Sequence, residues 1–338
     1  MELIGHMKNK IVGLILVLLF FLVACTDVQD KPKQSSKPVE APSVVAPRFN
    51  ADSAYQVVEK QVLFGPRVPN SKAHKQCATY LSNTLTSRGW LVQKQEFTAK
   101  AFDGTLLNLT NIIASYNPEA KKRILLAAHW DTRPFADQDS EKVKEPIDGA
   151  NDGGSGVGIL LEIARTIAVS EQKPNIGIDI ILFDGEDYGQ PDFAAKNGRV
   201  EDSWCLGSQH WSKNKHQAGY MAFYGILLDM VGARNAKFGK EGTSMHYGPS
   251  IVNKVWKTAH QLGYQAYFID QQTAPIIDDH AYVNEITGIP MIDIIEFNPS
   301  GENYFGDYWH THDDNMEVID KATLNVVGQT VLTVLYNE

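Results

Sequence analysis

The chain has 338 residues, enough for one large α/β domain or two smaller ones, and its composition is that of an ordinary globular protein. The formal net charge of −9 and the lack of a Lys/Arg-rich run argue against a partner held through phosphate contacts. We therefore exclude nucleic acid as a partner.

The N-terminal segment has the pattern of a secretory signal. Lys8 and Lys10 precede an apolar run over residues 11–24, too short to span a bilayer comfortably and typical of a signal-peptide core. The run ends in LVAC (Leu22 to Cys25), which resembles a bacterial lipobox. A plain secretory signal with an incidental cysteine is the alternative. On the lipobox interpretation, residues 1–24 are removed and a lipidated Cys25 anchors the protein in a lipid bilayer.

The next segment, to about residue 50, contains four prolines among Lys, Ser and Gln, a composition that predicts an extended, disordered tether. Anchor and tether (25–50) would place the folded body, 51–338, in the cell envelope, on the outer side of a bacterial membrane. We expect a monomer. Whether Cys77 and Cys205 form a disulfide stays open, because their separation in sequence says nothing about distance.

Hydrophobic periodicity and turn residues predict alternating helices and strands over the folded body. Helices are predicted for 53–63, 72–88, about 159–167, 250–262 and 321–336, and a further helix is predicted to start near His280. Strands are predicted for 90–98, 109–116, 123–129, 176–183, 220–230 and 291–296, with a short one near Tyr267. This alternation indicates a single α/β domain with a largely parallel sheet.

The central stretch, Ile147 to Asp187, contains the densest polar pattern. A Gly-rich turn with Asp152 precedes a predicted helix, and the strand that follows ends in three acids: Asp184, Glu186 and Asp187. Acids at the carboxyl ends of strands lie where α/β proteins usually bind ligands. Carboxylates crowded beside apolar strands need a cation, a proton or solvent.

Polar residues recur at other predicted strand ends. The full set is His129, Asp131, Asp152, Glu186, Asp187, Asp229, Asp278, Asp279, His280 and His310. Any one of them could be a turn residue, a helix cap or a packed histidine. Together they favour a catalytic zinc, because zinc takes His and carboxylate ligands while leaving one position open.

Six motifs stand in a fixed order along the chain: HWD, GANDGGSGVG, FDGED, LLDMVG, DDH and WHTHDDN. In this order they resemble the zinc aminopeptidase and glutaminyl cyclase superfamily, over about residues 53–338. The resemblance implies an α/β/α sandwich around a central, twisted, mixed and mostly parallel sheet.

The superfamily contains two activities that use these residues differently. In the glutaminyl cyclases the resemblance implies one zinc bound by Asp152, Asp187 and His310. Glu186 is then the general acid/base, and Asp229 and Asp278 join its hydrogen-bond network. In the dizinc aminopeptidases, His129 and Asp229 would bind one zinc, Asp187 and His310 the other, and Asp152 would bridge them.

Three details favour the cyclases: Trp309 directly precedes His310, DDH is present, and HTHDDN resembles the cyclase ending HTxDDN. Phe305 matches an aromatic residue of the cyclase pocket, which with Trp309 would bind the Gln side chain. The expected activity is that of a glutaminyl-peptide cyclotransferase on peptides and proteins with N-terminal Gln. A dizinc aminopeptidase and a non-enzymatic binding protein are the alternatives.

The sequence also departs from the animal cyclases. They have two glutamates where this chain has Glu186 and Asp187, and a polar residue where it has Ile277. The segment Tyr188 to Leu206 matches poorly, so the resemblance predicts nothing about that wall of the pocket.

Overall fold

The structure, a computed structural model, describes residues 44–298 and 304–338. The predicted signal peptide, Cys25 and most of the predicted tether lie outside these residues and stay predictions. Every described residue belongs to the same compact unit. Within the described residues, no helix has the length and apolar character that crossing a bilayer would require.

The centre of the fold is a mixed, six-stranded sheet. The described strands are β1 (Leu91–Lys100), β2 (Leu106–Tyr116), β3 (Arg123–His129), β4 (Gly177–Phe183), β5 (Tyr224–Asp229), β6 (Phe238–Lys240), β7 (Phe268–Gln272) and β8 (Met291–Ile295). The sheet has the order β1-β2-β4-β3-β5-β8, and β6 and β7 form a separate parallel pair. Strands β4, β3, β5 and β8 are parallel to one another. At one edge, β2 pairs antiparallel with β4, and β1 pairs antiparallel with β2.

Helices cover both faces of this sheet. The described α-helices are α1 (Ala51–Val62), α2 (Lys72–Ser87), α3 (Gly154–Val169), α4 (Leu206–Lys213), α5 (Gly242–Tyr247), α6 (Pro249–Gln261), α7 (Asp279–Thr287) and α8 (Lys321–Tyr336). On one face, Ile124 and Leu126 of β3 join a core formed with α1, α2, α3, α6 and α8. On the other face, Leu125 packs in a core with Trp211 of α4 and Val283 of α7. This architecture confirms the predicted α/β/α sandwich.

The predicted strands agree with the observed ones because both faces of the central strands are buried, so these strands form unbroken apolar runs. Three short elements were not predicted: α4, β6 and α5. The N-cap residue of α4, Cys205, makes no side-chain hydrogen bond to the helix, and β6 has three residues, too few to show a period. The strand predicted from Tyr220 begins only at Tyr224, since Tyr220 packs in the core and donates its hydroxyl to Asp179.

The last part of the predicted tether is folded. The backbone N–H of Val44 donates to Asn337 at 2.8 Å, and that of Phe49 donates to Gln329 of α8 at 2.9 Å. The Phe49 ring is buried over Gly328, where a Cβ atom would lie 2.4 Å from the ring. The prediction of a disordered tether is therefore wrong for residues 44–50, because an apolar side chain anchors this stretch to α8.

Candidate active site

The polar residues singled out in the sequence meet at the carboxyl ends of the parallel strands. His129 ends β3, Glu186 and Asp187 follow β4, and Asp229 ends β5. Parallel strands bring these ends to one edge of the sheet. Asp152 joins them from the turn before α3, Asp278 from the N-terminus of α7, and His310 from the loop before α8.

The turn carrying Asp152 is held by a second acid. The Asp314 carboxylate accepts the backbone N–H groups of Asn151 at 2.7 Å and Asp152 at 3.0 Å. The next residue, Gly153, has φ +82°, and a Cβ atom there would lie 2.6 Å from the carbonyl oxygen of Asp131. This position requires glycine.

The acidic turn after β4 is fixed by Asp131. Its two carboxylate oxygens accept the backbone N–H groups of Glu186 at 3.1 Å and Asp187 at 3.2 Å. One buried carboxylate thus positions two neighbouring acidic side chains.

The ligand atoms of Asp152, Asp187 and His310 lie within 4.8 Å of one another. His310 Nε2 is 3.4 Å from an oxygen of Asp187 and 3.7 Å from an oxygen of Asp152. Both oxygens of Asp187 are buried without a hydrogen-bond partner. Burial, with repulsion from Asp152, raises the pKa of Asp187 to about 6. This carboxylate is therefore poorly stabilised by the protein alone.

These residues fit a zinc ion. Bonds of about 2.0–2.2 Å in a tetrahedral site separate the ligands by roughly 3.3–3.5 Å, close to the distances seen here. The other ring nitrogen of His310, Nδ1, lies 3.2 Å from Asp137, which Arg133 holds through two hydrogen bonds. A carboxylate behind a histidine is the usual support of a metal ligand.

A second group, His129, Asp152 and Asp229, is arranged differently. His129 Nε2 lies 2.9 Å from Asp152 and 3.2 Å from Asp229, which are hydrogen-bond distances. Asp229 was predicted to join the hydrogen-bond network of Glu186, and it contacts His129, whose Nδ1 lies 4.0 Å from Glu186 Oε2.

Glu186 lies between His129, Cys205 and Asp278. Its Oε1 is 3.2 Å from the Cys205 sulfur, and the ligand atoms of Glu186, Cys205 and Asp278 lie within 4.8 Å of one another. Burial, with repulsion from Asp187 and Asp278, raises the pKa of Glu186 well above its usual range. Asp278 also caps α7 by accepting the Asp279 N–H.

Above these groups opens a cavity of about 470 Å³ with aromatic walls. The Phe305 and Trp309 rings lie 5.0 Å apart, and Trp309 stacks on His310 at 3.7 Å. The Trp204 ring is also nearly parallel to His310, at 5.8 Å. Glu186 and Asp278 are among the polar groups exposed to the cavity.

All eight predicted site residues come together around this cavity. Seven line it, and Asp187 meets them through His310 and Asp152. Sequence reasoning gave no role to four further residues at the site: Asp137, Asp314, Trp204 and Cys205. Asp131 was part of the predicted polar set, and its carboxylate fixes the turn of Glu186 and Asp187. Asp314 lies inside the motif WHTHDDN, so that motif could have indicated it.

A buried His/Asp metal group at the carboxyl ends of a mostly parallel sheet defines a zinc-exopeptidase-like enzyme. Residues 111–335 match the profile described as Peptidase family M28. Similar solved structures include the glutaminyl cyclase of Tannerella forsythia, 53% identical over 86% of this chain and 100% of that one, with TM-score 0.84. Another is the Bacteroides thetaiotaomicron glutaminyl cyclase bound to N-acetylhistamine, 54% identical over 87% of this chain and 100% of that one, with TM-score 0.84.

The similarity extends to curated animal proteins. The glutaminyl-peptide cyclotransferase of Boiga irregularis is 27% identical over 288 residues, 78% of this chain and 74% of that protein. The chain belongs to peptidase family M28 and, within it, to the glutaminyl cyclases, which confirms the resemblance inferred from the motifs.

Proposed function

We propose that this protein is a zinc-dependent glutaminyl-peptide cyclotransferase that converts N-terminal glutamine to pyroglutamate and releases ammonia. The observation that carries the proposal is the position of Glu186. It lies in an aromatic-walled cavity, directly beside residues that fit a single zinc ion. Membership of the glutaminyl cyclases supports the same activity.

In this reaction the substrate supplies its own nucleophile. Its α-amine attacks the γ-carbonyl carbon of the same glutamine, a ring C–N bond forms, and the bond to the side-chain amide nitrogen breaks to release ammonia. Asp152, Asp187 and His310 would hold the zinc. When bound, the zinc supplies a Lewis acid that polarises the γ-carbonyl oxygen.

Glu186 would take the proton from the attacking amine and return it to the departing nitrogen. Its raised pKa suits a group that must act first as a base and then as an acid. Asp278 contributes to that shift by repulsion, and Asp229 would act through His129. The Phe305 and Trp309 rings would bind the methylene groups of the glutamine side chain.

We propose one zinc rather than two. His129 Nε2 already occupies hydrogen-bonding positions on Asp152 and Asp229, so this ring supplies the positive partner that a second metal would supply. This geometry supports cyclisation over a dizinc aminopeptidase, which would need both groups free for metal.

The location of the enzyme is a separate proposal: a lipid on Cys25 would hold it at a membrane of the bacterial cell envelope, outside the cytoplasm. The LVAC sequence after an apolar run supports this. Cys25→Ser should move the protein from the membrane fraction to the soluble fraction. If the substituted protein stays with the membrane, the lipid anchor is ruled out.

The activity is tested by incubating the purified zinc-loaded enzyme with a Gln-initiated dipeptide and analysing the products by mass spectrometry. Loss of ammonia with the peptide bond intact is the expected result, and release of free glutamine would indicate an aminopeptidase. Glu186→Gln should reduce turnover by about a hundredfold or more while zinc stays bound. Full activity in that variant would show that Glu186 is not the general base and acid.

A further inference from the structure

One side chain beside Glu186 is not used in the mechanism above: the thiol of Cys205. Its sulfur lies 3.2 Å from Glu186 Oε1. The backbone connects the same two residues, since the N–H of Cys205 donates to the carbonyl oxygen of Glu186 at 2.9 Å. Cys205 is completely buried. It is thus fixed against Glu186 at two points.

The backbone of Cys205 adopts an uncommon conformation. Its φ of +56° lies in the left-handed region, which residues other than glycine and asparagine rarely adopt. Cys205 starts α4 there without giving the helix a side-chain hydrogen bond. The surrounding contacts must therefore hold this residue in place, a situation often found at functional sites.

Acids surround the thiol closely enough to affect its ionisation. Burial, together with repulsion from Glu186, Asp279 and Asp278, raises the pKa of the thiol well above its usual range. The thiol therefore keeps its proton and acts as a donor to Glu186. Among the described residues, no other side chain donates a hydrogen bond to the Glu186 carboxylate.

We propose that Cys205 is a positioning residue for proton transfer: its S–H holds Oε1 of Glu186, so that the carboxylate keeps one orientation toward the substrate amine. This inference rests on the proposed function, because it assumes that Glu186 carries the proton. A thiol can do this because its S–H donates a hydrogen bond, although a weak one.

The test compares Cys205→Ala with Cys205→Ser in the full-length, zinc-loaded enzyme. The alanine variant should lose about tenfold or more in kcat with KM and zinc content unchanged, because the acid/base group is misplaced after substrate has bound. The serine variant keeps an O–H donor and should recover most of that loss. Cys77→Ala is the matched control: Cys77 is equally buried but lies in α2, away from the cavity, and its removal should leave kcat unchanged.

Two results would overturn the inference. One is wild-type kcat in Cys205→Ala. The other is an equal loss of kcat in the alanine and serine variants together with lower thermal stability, which would indicate a packing role. Glu186→Gln measured in parallel separates the two proposals. If that variant is inactive while Cys205→Ala is fully active, only the role of Cys205 fails; if Glu186→Gln is active, the proposed function of Glu186 fails as well.

Discussion

Two histidine–aspartate groups share Asp152 and yet differ in how their polar atoms are satisfied. In the first, His310 Nε2 stands 3.4 and 3.7 Å from its two carboxylates, and neither oxygen of Asp187 accepts a hydrogen bond. In the second, His129 Nε2 stands 2.9 and 3.2 Å from Asp152 and Asp229. The ligand atoms of both groups lie within 4.8 Å of one another, but only in the second does the histidine hydrogen-bond a carboxylate, Asp229. Residue types alone do not distinguish them.

The second ring nitrogen, Nδ1, also has different surroundings in the two histidines. His310 Nδ1 faces Asp137 at 3.2 Å, and Arg133 fixes that carboxylate, so the ring is oriented as a metal ligand. His129 Nδ1 lies 3.6 Å from Asp131 and 4.0 Å from Glu186. The first histidine is supported for coordination, and the second connects the acids around Glu186.

The largest effect should come from the group spaced for metal. Asp187→Asn removes a charged ligand whose oxygens accept no hydrogen bond, so zinc content should fall from about one ion per chain toward none. Turnover should drop by about a thousandfold, the scale of losing a principal source of charge stabilisation. Metal analysis and a cyclisation assay check this. Asp270→Asn, an exposed substitution on β7, is the control, and a fully loaded, active Asp187→Asn would contradict the assignment.

Substitution in the second group should lower the stability of the fold but leave the zinc content unchanged. His129→Ala leaves the buried Asp229 carboxylate without its hydrogen-bond partner, which should lower the free energy of unfolding by about 3–5 kcal/mol. Zinc should stay at one ion per chain, and His129→Gln, which keeps a donor, should regain part of the stability. Urea unfolding and metal analysis measure both quantities. A wild-type enzyme with two zinc ions that drops to one on this substitution would make the second group a metal site.

Removing the charge of Asp137, the carboxylate behind His310, should have a smaller effect, on zinc affinity. Asp137→Asn weakens the orientation of the ring, so zinc affinity should fall by about 10- to 100-fold while excess zinc restores activity. Asp139→Asn, two residues along the same loop, contacts His312 and provides the control. Competition with a chelator gives the affinities. Equal zinc affinity in both variants would show that His310 needs no carboxylate behind it.

The sequence predicted the central strands and the edge of the sheet where the site lies. Buried parallel strands such as β3 and β4 are continuous apolar runs, so the acids and histidines that end them stand out. Because parallel strands bring those ends together, motifs far apart in the chain could be assigned to one site. The predicted ligand set of Asp152, Asp187 and His310 follows from the resemblance, and the structure places those residues within reach of one ion.

The sequence could not predict which side chains touch. The resemblance implies a hydrogen-bond network around Glu186 that includes Asp229, but it does not imply the contact of Asp229 with His129, because the direction of a side chain at a strand end depends on local backbone turns. Trp204 and Cys205 belong to a segment without periodicity that matches the family poorly, so no pattern indicated them. Likewise, the packing of Phe49 on Gly328 depends on one apolar residue in a stretch whose composition is otherwise typical of a tether.

A third histidine–carboxylate pair lies outside the zinc group. Its disruption should have the smallest of these effects, a change in the free energy of unfolding that depends on pH. His280 Nε2 lies 3.1 Å from Glu241, whose carboxylate also accepts the backbone N–H groups of Thr243 and Ser244 at 2.6 Å. Although burial opposes ionisation, these hydrogen bonds lower the pKa of Glu241 from 4.5 to about 2. A carboxylate whose pKa is lower in the folded protein stabilises the fold above its unfolded pKa, and this contribution is lost as the pH falls toward 2.

Glu241→Gln should therefore lower the free energy of unfolding by on the order of 2 kcal/mol at neutral pH. The difference from the wild type should stay constant down to about pH 4.5 and narrow below it, because the protonated glutamic acid resembles glutamine. Urea unfolding between pH 7 and about pH 3.5, with Glu59→Gln on exposed α1 surface as the control, measures this difference. A difference that widens below pH 4.5 would mean that Glu241 is not held in its charged form. Such a result would make Glu241 resemble Asp187 of the zinc group, whose pKa burial and repulsion from Asp152 raise to about 6.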